Sequence, residues 1–167
     1  MSVKTQILTN SQVEKIITRM AYEVYERNFN LKTLIIAAIN GRGEKIAELI
    51  DKKIKEISSI KTQLVTVSIN KENPIDTVFL KDAEKLKLAN HVVLLVDDVL
   101  NTGRTLIYGA LPFLKSDIKS LQTLVLVNRN HNLFPVKADY IGLNLRTTLQ
   151  EHITVTVERN KINVYVE

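Results

Sequence analysis

The sequence predicts an α/β fold, a doubly wound and mainly parallel sheet with a closing C-terminal β-hairpin. Three observations carry this reading. Residues 34–39, 92–96 and 121–127 are short apolar runs without charge, as expected of strands covered on both faces. Segments with helical apolar spacing separate such runs. Residues 153–157 and 162–166 alternate with period two and meet across Arg159-Asn160-Lys161, a hairpin pattern.

The elements follow in order. Asn10 or Ser11 is the expected cap of a first helix, in which Val13, Ile16, Ile17, Met20, Ala21 and Val24 recur on one face. Residues 34–39 form a buried strand, which Asn40-Gly41-Arg42-Gly43 ends. Ile46, Ala47, Leu49, Ile50 and Ile54 mark a second helix, and residues 63–69 a second strand. Residues 70–89 are the least regular, and Asn70-Lys71-Glu72-Asn73-Pro74 reads as an exposed turn. A third strand over 92–96 leads to a helix over 105–114, with Pro112 near its end. A fourth strand covers 121–127. A short one at 138–142 follows a loop containing Pro135.

The 167 residues suit one domain, residues 1–167, with a sizeable core. The absence of cysteine excludes disulfides and thiol chemistry. No apolar run approaches the roughly 20 residues of a membrane helix, and the first residues lack a secretory apolar region. A cytoplasmic protein without a membrane partner is therefore expected. The net charge of +5 fits phosphorylated ligands or nucleic acid, and equally an unspecialised basic surface, because 23 basic and 18 acidic residues are spread along the chain.

One segment is more specific than all of this. Leu94-Leu95-Val96-Asp97-Asp98-Val99-Leu100-Asn101-Thr102-Gly103-Arg104-Thr105-Leu106 delivers two adjacent acids from an apolar run, then a Thr-Gly-x-Thr turn that opens a helix. Carboxylates at a strand end suit sugar hydroxyls or a metal shell. Backbone N–H groups curling toward a helix start suit a phosphate. The plain alternative, an acid pair that caps a loop, does not need the whole pattern.

A second turn, Asn40-Gly41-Arg42-Gly43, places a guanidinium between two glycines at another strand end, which fits pyrophosphate. In parallel sheets both turns belong to the same ligand-binding edge. A third segment runs from Asn128-Arg129-Asn130-His131 to Tyr140-Ile141-Gly142. It reads either as a hood over a flat base, with Tyr140 stacking and Asn128 on the ring edge, or as ordinary core and turn.

These motifs resemble the type I phosphoribosyltransferases, and the resemblance spans the chain. Within them it is closest in pattern to the branch combining pyrimidine-operon regulation with uracil phosphoribosyl transfer. The shared stretches are Arg19 to Val24, Ile39 to Gly43, Val96 to Thr105, Asn128 to His131, Pro135, Ala138 to Gly142, and Thr147-Thr148.

The resemblance implies transfer of a 5-phosphoribosyl group from 5-phosphoribosyl-1-pyrophosphate (PRPP) to a nucleobase, with Mg2+, in a homo-oligomer. It gives Gly41 and Arg42 to pyrophosphate, Asp97 and Asp98 to ribose and the metal shell, and Asn101, Thr102, Gly103, Arg104 and Thr105 to the 5-phosphate. Arg42, Asp97 and Asp98 are the catalytic candidates. Asn128, Tyr140 and Ile141 are the candidates for the base.

This chain departs from the branch at three places. Asn128 replaces an Asp, Leu143 replaces a Lys, and residues 68–73 lack the loop arginine. Relative to purine-salvage enzymes, Asn101 replaces a proposed acid–base Asp and Asn128 replaces a Lys. Uracil is therefore the leading base. Two alternatives stay open: a purine-base enzyme, and a nucleotide-sensing regulator that binds messenger RNA with little catalysis. The regulator would use a basic surface involving Arg19, Arg27, Lys137 and Arg146.

Overall fold

The computed structural model describes residues 4–75, 77–81, 83–148 and 150–167. In chain order its elements are β1 (Thr5–Leu8), α1 (Asn10–Asn28), β2 (Thr33–Ile39), α2 (Arg42–Ile57), β3 (Lys61–Ile69), β4 (Val78–Lys81) and β5 (Val92–Leu100). Then come α3 (Arg104–Gly109), α4 (Leu111–Leu114), β6 (Ser120–Asn128), β7 (Tyr140–Asn144), β8 (Ile153–Glu158) and β9 (Lys161–Val166). A six-stranded sheet has the order β4-β3-β2-β5-β6-β7, and a three-stranded sheet the order β1-β9-β8. In the larger sheet β4 alone runs antiparallel to its neighbour. The expected α/β class, mainly parallel sheet and hairpin are all present.

Alternation along β2 explains why its run is uniformly apolar. Leu34, Ile36 and Ala38 face a core shared with Val13, Met20, Ile46 and Ile50 of α1 and α2. Ile35, Ala37 and Ile39 face a second core with Leu106 and Phe113. A strand buried on both faces has no position left for a polar residue. Burying side chains of this size is worth roughly 2 kcal/mol each.

Several details differ from expectation. The cap of α1 is Thr9, not Asn10 or Ser11: its backbone N–H donates to Gln12 Oε1 at 2.8 Å, and its hydroxyl accepts from the Gln12 N–H. The helix expected over 105–114 is broken at Ala110 into α3 and α4. Pro112 lies in the first turn of α4, where its missing N–H is harmless, but continuing α3 through it would clash with the carbonyl four residues back. Within 70–89 the short edge strand β4 pairs with β3. β1 was not foreseen at all; it pairs antiparallel with β9. Finally, β5 does not stop at residue 96. Its ladder with β6 continues through Asp97, Val99 and Leu100, so both acids lie within the strand.

Candidate active site

The acids stand where β5 outruns its neighbour β2, whose pairing with it ends at Val96. Asp97 and Asp98 are both buried. Asp97 Oδ1 accepts from the Asp98 N–H at 2.9 Å, and Asp98 Oδ1 from the Val99 N–H at 3.0 Å. Two cations meet them. Lys71 Nζ lies 3.2 Å from Asp97 and 3.8 Å from Asp98, while Arg42 Nη1 lies 3.8 Å from Asp98. Burial, reinforced by the Asp98 carboxylate, pushes Asp97 up to about 7, with Lys71 opposing.

Lys71 was read only as part of an exposed turn. It reaches the acids because Asn70 Oδ1 accepts from the Glu72 and Asn73 N–H groups and folds the turn back. The loop that lacks an arginine thus still delivers a cation.

Gly41 and Arg42 open α2 beside the acids. Gly41 has φ +93°, a region that favours glycine. Its N–H donates to Glu44 Oε2 at 2.8 Å, so Glu44, not singled out from sequence, holds this turn. A Cβ on Gly43 would lie 3.0 Å from the Val96 carbonyl oxygen and 3.3 Å from Asp97 Oδ1, so the glycine lets α2 approach the acid pair.

The loop after β5 forms the opposite wall. Thr102 Oγ1 accepts from the Arg104 N–H, and the Thr102 carbonyl accepts from the N–H groups of Leu133 and Phe134. Gly103 has φ +85°, and a Cβ there would lie 2.4 Å from Val136 Cγ1. Residues 133–136 therefore clamp this turn. Lys71, Asp97, Asn101, Thr102, Gly103, Arg104 and Thr105 together line a cleft of about 530 Å³.

An adjoining cavity of about 420 Å³ shares Leu100 with the cleft and includes Asn128, Asn130, Asn144 and Ile141. Asn128 and Ile141 are thus brought together. Tyr140 is not, which corrects the expected stacking role. It is 4% exposed, on the face of the sheet covered by α1, and its hydroxyl donates to Gln122 Oε1 at 2.8 Å. Odd and even positions of a strand face opposite ways, so Tyr140 and Ile141 cannot both meet one ligand.

Arg129 belongs to the stretch singled out from sequence, but no role was expected of it. Its guanidinium is buried and donates to Asn101 Oδ1, Thr147 Oγ1 and the carbonyls of Thr148 and Glu151. Its sequence signals are the shared stretch from Asn128 to His131 and its place directly after a buried strand.

A family model for the phosphoribosyl transferase domain matches residues 3–159. The chain belongs to that family. Among its curated relatives, the bifunctional protein PyrR of Fusobacterium nucleatum is 37% identical over 163 residues, covering 93% of this chain and 92% of its own. The bifunctional protein PyrR of Clostridium acetobutylicum is 34% identical, with 99% of each chain covered. The hypoxanthine phosphoribosyltransferase structure from Trypanosoma cruzi aligns with TM-score 0.78 at 16% identity, over 96% of this chain and 95% of that one. At that identity the likeness speaks for the phosphoribosyltransferase fold and not for the base.

Proposed function

We propose that the chain transfers the 5-phosphoribosyl group of PRPP to a nucleobase, a pyrimidine such as uracil, releasing pyrophosphate. The observation that carries this is the buried Asp97-Asp98 pair opening onto the same cleft as the turn from Asn101 to Thr105. Acids suit the ribose hydroxyls, and the turn suits the 5-phosphate.

In the reaction the bond from the anomeric carbon to pyrophosphate breaks. A bond to the base nitrogen forms, and that nitrogen's proton leaves to solvent. Asp97 and Asp98 hold the sugar and favour positive charge developing on the ring. Arg42 pairs with the departing pyrophosphate, an electrostatic and positioning role. Asn101 has no titratable group, so acid–base work on the base does not fall to it.

Magnesium suits the donor set, since the Asp97-Asp98 pair offers only oxygens. Asp97 and Asp98 would hold it together with water and substrate oxygens, and when bound it neutralises pyrophosphate charge. A homo-oligomer and a cytoplasmic setting belong to the same proposal. No helix is long and apolar enough to cross a membrane among the described residues.

A regulatory reading has one specific support, the many relatives named bifunctional protein PyrR. Of the basic residues it would use, Arg19 is engaged with Glu23 and the carbonyls of Ile141 and Gly142, and Arg27 with Asp139. Lys137 and Arg146 are exposed.

The test is pyrophosphate release from PRPP and Mg2+ against uracil, cytosine, hypoxanthine, guanine, xanthine, adenine and orotate. Release with uracil supports the proposal. Release with a purine alone moves the assignment to that base. PRPP binding without release from any base favours the regulator.

A further inference from the structure

The cavity beside the cleft has an apolar wall of Leu100, Ala138 and Ile141 and a polar edge that includes Asn128, Asn130 and Asn144. Asn128 ends β6 directly opposite Asn144 at the end of β7. Asn130 adopts φ +57°, which asparagine tolerates, and this turns its backbone N–H back toward Asn128.

The orientation of the Asn128 amide is forced by that backbone group. The Asn130 N–H lies 3.1 Å from one terminal atom of Asn128, and a backbone N–H can only donate, so that atom is Oδ1. The other terminal atom is then Nδ2. It lies 2.9 Å from a terminal atom of Asn130 and 2.9 Å from one of Asn144, and both must accept. Both hydrogens of Asn128 are therefore spent on flanking oxygens. The relay keeps one free lone pair on Asn128 Oδ1. It also keeps the NH2 groups of Asn130 and Asn144, neither of which has a partner among the described residues.

We propose that Asn130, Asn128 and Asn144 form a specificity relay that reads a ring imide, the sequence C=O, N–H, C=O. Asn128 acts as an acceptor only and takes the imide N–H, while the outward NH2 groups of its neighbours take the two carbonyls. An amide whose donors are consumed does what a carboxylate would do, with no buried charge to neutralise. No carboxylate lines this cavity among the described residues, so an exocyclic amine finds no charged acceptor there.

Cytosine and adenine place a bare nitrogen where the imide has N–H and an amine where it has a carbonyl. Each mismatch leaves a desolvated group unpaired. Asn130 and Asn144 together set this pattern, because each consumes one Asn128 hydrogen and keeps its own NH2 group as a donor. This inference rests on the reading of the cavity as the base site.

The test uses the intact chain and titration calorimetry with PRPP, UMP and CMP in the presence of Mg2+. Asn128 is buried, while Asn130 and Asn144 are exposed until a ring covers them. The native chain should bind UMP at least about 100-fold more tightly than CMP, as expected when two polar groups covered by the bound ring go unpaired. Asn144→Asp keeps an oxygen for Asn128 and removes the outward donor. It should weaken UMP at least about tenfold, the cost of one hydrogen bond to a desolvated partner, and leave PRPP unchanged. Asn130→Asp removes the other outward donor and should do the same, which protects the test if one variant fails to fold. Native binding of PRPP with UMP and CMP within about threefold of each other, well under the cost of one unmet bond, overturns the relay alone. So does a UMP:CMP ratio unchanged in both variants. Absence of PRPP binding by the native chain overturns the phosphoribosyl reading and the relay with it.

Discussion

Arg129 Nη1 donates to Asn101 Oδ1 at 3.1 Å, which ties the end of β6 to the turn that follows β5. Every other acceptor of this buried guanidinium is also neutral: Thr147 Oγ1 and the carbonyls of Thr148 and Glu151. The Glu151 carboxylate instead accepts from the Thr148 N–H at 2.7 Å. A buried cation whose hydrogen bonds among the described residues all go to neutral oxygens is a strong organiser, because each acceptor is left unpaired if the guanidinium is removed. Arg129→Leu should therefore lower stability by about 2 kcal/mol, the scale of leaving buried acceptors of a charged donor unsatisfied. The urea unfolding midpoint measures it, and a shift equivalent to less than about 1 kcal/mol, the scale of one ordinary hydrogen bond, counts against the network.

Asn101→Asp places a carboxylate against the same guanidinium. Because Asn101 is exposed, the gain is screened, and stability should rise by no more than about 1 kcal/mol. The added negative charge should weaken PRPP binding. A variant that melts higher and binds PRPP less tightly is the expected pair of results, read by thermal unfolding and calorimetry.

Replacing Asp97 and Asp98 together with Asn removes both charges without much change of shape. PRPP binding in Mg2+ should fall by at least about 100-fold, in line with the loss of charge-assisted contacts. Binding at the native level would defeat the assignment of this site.

The raised Asp97 carries a pH signature. Its folded value of about 7 exceeds the roughly 3.9 of an unfolded Asp, so the folded state holds the proton more tightly. Between those values the folded chain binds more protons than the unfolded one, and stability falls as pH rises through this window. Above about 7 the loss is complete. Asp97→Asn should flatten that slope in urea unfolding from pH 4.5 to 7.5, values chosen to bracket most of the interval. A slope equal to that of the native chain would show that Asp97 titrates normally.

Lys71 bridges the two acids and occupies the place a divalent cation would take. Lys71→Gln removes this competitor. Mg2+ affinity without PRPP should increase several-fold, roughly the worth of a half-exposed ion pair. Unchanged affinity in calorimetry would mean that the ammonium does not contend for the acids.

Gly103→Ala should damage the phosphate turn. The residue needs a left-handed backbone, and its Cβ would meet Val136. A loss of about 1–3 kcal/mol is expected from strain and overpacking. Thermal unfolding and PRPP titration should move together, since the same turn serves both.

Much of this was legible in the residues because local chemistry and the fold agree there. The runs at 34–39, 92–96 and 121–127 became core strands, since a stretch with no polar face has only the interior to occupy. Asp97, Asp98 and the turn from Asn101 to Thr105 came together because a strand–turn–helix fixes its own geometry. What stayed hidden depends on partners distant in sequence. β1 is four residues long and takes its place only from β9. Lys71 looks like a loop residue until Asn70 folds the turn. Tyr140 looks like a stacking ring until the β7 register turns it toward Gln122 and Asn28. Arg129 lies in a family-like stretch, but its role is not legible there, because its partners are a side-chain amide, a hydroxyl and two carbonyls drawn from Asn101 and residues 147–151.

The β1–β9 pairing has a consequence for how the chain is made. Gln6 and Asn163 are bonded across a separation of 157 residues. At translation rates of about 5–20 residues per second, α1 emerges on the order of ten seconds or more before β9. Val13, Ile17 and Met20 share their core with Val155, Ile162 and Val164, which are synthesised much later. The growing chain therefore carries an incompletely covered greasy helix until those residues are made, and proteolysis of stalled nascent chains should find α1 cleavable until β9 has cleared the exit tunnel.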